Sequence, residues 1–153
     1  FAQEAELSLD IGKMQQQLLS EEDTKVIESV PEPDEEKGAR QDPVMSAKVN
    51  RIGVRNYLAG KPGQAMRHFN MAFDHDNRNA SALLNLAQLF LEAARDTPSR
   101  SDERLKMFTR YLRLAQRLEL SGAHKEKFKQ LDEFGTMMLE SLPDFEFLPL
   151  REF

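Results

Sequence analysis

The chain has no cysteine and no tryptophan in 153 residues. The first absence removes disulfides, thiolate metal sites and thiol nucleophiles together. No apolar run approaches the roughly 20 residues that a membrane-spanning helix requires. Nothing near Phe1 joins a basic flank to an apolar stretch, so a secretory signal is not expected. These absences point to a cytoplasmic address, and the start at Phe1 to a processed or excised piece of a larger protein. Also missing are a phosphate-cradling glycine loop, a Gly-x-Ser-x-Gly elbow and a pair of histidines at metal spacing on one helix. The expectation is therefore no enzyme activity and no cofactor. His68 and His75 stand seven apart, with Asp74 and Asp76 beside the second, and read as a solvated turn rather than a metal site; His124 is isolated.

The composition itself is that of an ordinary soluble domain, 40% hydrophobic and 31% charged. The net charge of −5 is unevenly spread. Residues 1–45 carry 12 acids and 4 bases, a net −8, while residues 46–153 carry 14 acids and 17 bases, a net +3. An acidic arm thus precedes a mildly basic body.

Four segments follow from patterning. In residues 1–30, Leu7, Ile11, Met14 and Leu18 fall at i, i+4, i+7 and i+11, the spacing of an amphipathic helix. Its stripe needs a surface, which can be the body downstream, a second chain or an upstream domain. Residues 31–43 hold three prolines and a cluster of carboxylates with no apolar period, and read as an acidic, solvated linker. Residues 44–142 carry the helical body. Residues 143–153 form an apolar tail, with Phe145, Phe147, Leu148, Leu150 and Phe153, which is expected to lie on the body or in a groove of a neighbouring copy.

Within the body, Asp42 is a good N-cap and Pro43 a good first helical residue. The helix they start carries Val49, Ile52 and Gly53 and should end near Gly60. Pro62 opens the next, with Ala65, Phe69 and Ala72 on one side. From Asn79 the pattern returns: Leu83, Leu86, Ala87 and Phe90 repeat the spacing of Val49, Ile52, Gly53 and Asn56 at an offset of 34 residues. Phe108, Leu112 and Ala115 then stand for Ala65, Phe69 and Ala72 after a longer loop over residues 95–101. A last amphipathic helix, over residues 123–142, carries Phe128, Leu131, Gly135, Met138 and Leu142 and should cap the stack, stopped by Pro143.

With Ser46 as the first residue of a unit, Ile52-Gly53, Gly60, Ala65, Phe69 and Ala72 resemble the pattern of the tetratricopeptide repeat. Val49 departs from the tryptophan usual in that family and Asn77 from its proline. The resemblance implies an all-α fold, a short stack of antiparallel helix hairpins with a capping helix. It also implies a protein-binding scaffold whose partner surface is the concave side, formed by the first helices of the repeats. Carried over by position, that groove is lined by Asn50, Val54, Tyr57, Leu58, Leu84, Asn85, Gln88, Leu91 and Glu92. Asn85 coincides with an asparagine that some members use to grip a terminal carboxylate. Asn50 and Val54 replace the lysine and asparagine expected beside it, so such a clamp is not expected and Asn85 reads as structural. The acidic connector before a short repeat domain also resembles the C-terminal region of bacterial response regulators that carry these repeats, which implies a regulatory or assembly adapter in signal transduction.

The partner implied is a protein or peptide. A homodimer through the N-terminal helix or the C-terminal tail is also expected, because a stack this short leaves its ends uncovered. The alternative is an anion or nucleic-acid module using Lys106, Arg110, Arg113 and Arg117, a basic stripe at i, i+4, i+7 and i+11 with Arg100 and Arg104 nearby. A solvated outer face is the plainer reading of that stripe, because the aromatics of this helix point to the core rather than between the arginines.

Overall fold

The computed structural model describes residues 19–33 and 41–141. The apolar stripe of residues 7–18, most of the linker and the tail of residues 143–153 lie outside the described residues. The fold is all-α: α1 (Glu21–Ser29), α2 (Pro43–Leu58), α3 (Pro62–His75), α4 (Ala80–Asp96), a 3-10 turn (Pro98–Arg100), α5 (Ser101–Gln116) and α6 (Gly122–Ser141).

The helix boundaries follow from caps. The Asp42 side chain accepts from the Met45 amide at 3.1 Å, satisfying one of the amides that a helix start leaves unpaired. Pro43 follows at the first position, where its missing N–H costs nothing. Gly60, at φ 78°, makes the turn into Pro62. Asn79 caps α4 by accepting from Ala82 N at 3.1 Å.

Packing is in sequential pairs, α2 on α3 and α4 on α5, with α3 also against α4. Helix α6 packs on both α4 and α5, as a capping helix does. Two close approaches set the pairing distances. A Cβ on Gly53 would stand 2.5 Å from the Phe69 ring and 3.2 Å from the Ala65 carbonyl oxygen; one on Gly135 would stand 2.6 Å from the Phe108 ring. Small residues there let the helix axes close on buried aromatics. Ser46 ties the first hairpin to the second: its hydroxyl donates to Ala72 O at 2.7 Å and accepts from Asn79 Nδ2 at 2.8 Å.

Helix α4 is the centre of the molecule. Every residue from Ser81 to Ala94 is buried. The aromatics gather beside it: Tyr111 stacks on Phe90 with centroids 5.8 Å apart and meets Phe73 edge-on at the same distance. Among the described residues no helix is long and apolar enough to cross a membrane.

In the described part of the arm, residues 19–33, a helix begins only at Glu21, so the single helix expected over residues 1–30 does not run through Leu19 and Ser20. A separate helix, α1, starts at Ser20, whose hydroxyl accepts from Asp23 N at 3.0 Å while Asp23 accepts from Ser20 N at 3.3 Å. This is a capping box, and Ser20 with Asp23 is its sequence signature. Helix α1 lies against α3, burying Ile27 in the main core. Asp23 also accepts from Gly63 N at 3.0 Å, so the arm supplies the cap that Lys61 does not give α3.

Candidate functional site

Of the nine positions expected to line a concave groove, eight are buried: Asn50, Val54, Tyr57, Leu84, Asn85, Gln88, Leu91 and Glu92. Leu58 alone is open, at 70% exposure. The structure brings the polar members together across α2 and α4. Asn85 Nδ2 donates to Asn50 Oδ1 at 3.1 Å, and Tyr57 OH and Gln88 Nε2 both donate to Glu92 Oε2, at 2.8 and 3.0 Å. Sequence places these residues on one face; their side chains turn to each other across two helices, which makes that face an interior seam. Among the described residues Gln88 Oε1 finds no hydrogen-bond partner, although it is buried.

The electrostatics of the seam follow from burial. Desolvation raises the Glu92 carboxyl above its ordinary value, and the bonds from Gln88 and Tyr57 and the charge of Arg95 offset that only in part. Desolvation first, and then the Glu92 charge, push the Tyr57 phenol far up. Asp96, at the end of the same helix, is raised by burial against the pull of Arg95, whose Nε lies 3.1 Å from its carboxylate.

The basic stripe of α5 is met by the acidic arm. Glu32 lies 3.1 Å from Lys106 Nζ and 3.6 Å from Arg110 Nε, and Glu28 pairs with Arg100. The hydrogen bond from Lys106, then the Arg110 charge, hold Glu32 below its usual range. Pro31 O accepts from Tyr111 OH at 3.4 Å. The start of the linker is thus seated on α5 instead of running free. Arg113 and Arg117 are exposed.

Arg104 behaves differently from its neighbours: it is only 4% exposed and donates through Nη1 to Ala93 O at 2.9 Å. Burial lowers its pKa, against the favourable charge of Glu28. Its burial has a sequence signal, since Arg104 falls four residues before Phe108 and seven before Tyr111, on the apolar side of α5.

His68 Nδ1 sits 3.0 Å from Asn56 Nδ2 and 2.9 Å from Gln64 O, and His124 Nε2 lies 2.7 Å from Ser81 Oγ, joining α6 to the start of α4. Among the described residues no three His, Cys, Asp or Glu side chains are grouped to hold a metal ion.

Among the described residues the exposed large apolar ones are Val44, Met45, Ile52, Leu58, Met71 and Met137. Met45 and Ile52 are seven apart on α2, and Met71 is on α3. Comparison with family models, curated proteins and solved structures gives no match.

Proposed function

We propose that the chain is a protein–protein interaction scaffold, a short stack of helix hairpins serving as a regulatory or assembly adapter of a larger protein. One observation carries the reading. Ile52 and Leu86 hold the same position in α2 and α4, 34 residues apart, and Leu86 is fully buried while Ile52 is 43% exposed. Helix α4 has α3 beside it, whereas α1 lies against α3 and leaves this part of α2 open. The first hairpin thus leaves apolar side chains exposed on both its helices, Met45 and Ile52 on α2 and Met71 on α3, as the end of an uncovered repeat does. A helical segment of a partner, or a second copy, docks there as the next layer. The buried seam of Asn50, Tyr57, Asn85, Gln88 and Glu92 supports this surface by fixing the two hairpins rather than meeting the partner itself.

The test is parallel affinity capture with the wild-type chain and the double variant Ile52→Lys, Met71→Lys, each shown by thermal melting to be equally folded. Proteins retained by the first and lost from the second support the reading. Identical captured sets, together with an unchanged sedimentation coefficient, contradict it.

The nucleic-acid alternative gains no support from the geometry, because Lys106 and Arg110 already have Glu32 as a partner.

A further inference from the structure

Between α1 and α5 lies a cavity of about 470 Å³, within the roughly 300–1,000 Å³ of small-molecule sites. None of its lining residues belongs to the first hairpin. Ile27, Val30, Phe90 and Met107 give it apolar walls. Its charged lining is Arg100, Arg104 and Lys106 against Glu28, Glu32 and Glu103.

Arg104 is the unusual member. Nη1 is committed to Ala93 O, but Nη2 is buried without a hydrogen-bond partner among the described residues, and the carboxylate oxygen nearest to it there, Glu28 Oε2, is 3.9 Å away, beyond bonding range. A buried guanidinium with an unused donor is costly to keep. Glu28, whose side chain is 35% exposed, reaches in from the arm and pairs with Arg100 instead. Lys106 is engaged by Glu32. If Glu28 turns outward, Arg100 and Arg104 lose the one carboxylate within 4 Å of either among the described residues, while Glu32 stays with Lys106 and Arg110.

We propose that this cavity binds a small amphipathic carboxylate: the carboxylate bridges Arg104 Nη2 and Arg100 in place of Glu28, and its hydrocarbon part lies against Val30, Phe90 and Met107. A carboxylate matches the planar, forked donor set of a guanidinium, and Glu28 shows that one can be accommodated beside Arg100. Since Glu28 belongs to the arm, ligand and arm helix compete for the same pair of arginines.

The probe is octanoate, with octanol and inorganic phosphate as controls, titrated into the full chain and followed by NMR shifts of the Val30 and Met107 methyls. Octanoate is expected to saturate these shifts, octanol to bind about tenfold more weakly and phosphate to leave them unmoved. Glu28→Gln, at a partly exposed site, should tighten octanoate several-fold by removing its competitor. Arg104→Lys should weaken it about tenfold; should that variant unfold, Glu28→Gln decides alone. Equal affinity for octanoate and octanol, no saturable shift with octanoate, or affinity unchanged or weakened in Glu28→Gln would overturn the proposal.

Discussion

Ile52 and Leu86 stand 34 residues apart, on α2 and α4, and Leu86 is fully buried while Ile52 is 43% exposed. The two positions should respond to truncation with very different losses. Leu86→Ala opens a cavity in the central helix and is expected to cost about 2–5 kcal/mol, whereas Ile52→Ala should cost less than about 1 kcal/mol. Chemical denaturation of the two variants checks this directly.

Gly53 is held by packing rather than by backbone conformation. Alanine gains about 1 kcal/mol of helix propensity over glycine, yet its Cβ would meet the Phe69 ring at 2.5 Å. Phe69 is fully buried and cannot swing away. Gly53→Ala is therefore expected to destabilise by about 1–3 kcal/mol net, and Gly53→Ala with Phe69→Leu to recover part of the loss in a double-mutant cycle.

Asp23 serves two helices at once, capping α1 and accepting from the start of α3. Asp23→Ala should cost about 1 kcal/mol or somewhat more. The distinguishing readout is local: amide exchange should quicken in residues 21–29 and at Gly63 while α4 keeps its protection.

The buried Glu92 makes stability depend on pH. Its folded pKa is raised above the ordinary carboxylate value of 4.5, so the folded chain holds this proton more tightly than the unfolded one. The contribution is fully present below about 4.5 and is lost as pH rises through the folded value. Asp96, also raised, acts in the same sense, and Glu32, lowered, acts in the opposite one, losing its contribution as pH falls. Glu92→Gln keeps an acceptor for Tyr57 and removes the charge. It should raise the melting temperature at neutral pH and give no gain in acid; a gain that is the same at both pH values would contradict the assignment.

Much of the body was legible because its signals are local. Asp42-Pro43, Gly60 and Asn79 are caps and turn residues that act within a few positions, and the helices they bound match the expected ones closely. The offset of 34 made the likeness of α2 and α4 legible because the two helices carry the same apolar spacing, although Ile52 and Leu86 on it have different surroundings. The groove was less legible. Position on a first helix tells which face Tyr57 and Gln88 share, but not that Glu92 gathers both into a buried seam. The arm was less legible for a similar reason. Glu32 looks like part of a solvated acidic run, and only the fold sets it opposite Lys106 and Arg110, and Glu28 of α1 opposite Arg100. The capping box at Ser20 and Asp23 was in the sequence and marks α1 as a helix of its own.

The central claim is that the end of the first hairpin is a protein-binding surface. Methionine oxidation reads it without any mutation, because Met45 and Met71 lie on that surface and Met137, also exposed, lies on α6. The measurement is the oxidation rate of each methionine by dilute peroxide, in the isolated chain and in the assembly as it occurs in the cell. Slower oxidation of Met45 and Met71 in the assembly, with Met137 unchanged, is the predicted result. Equal rates at all three in both states would contradict it.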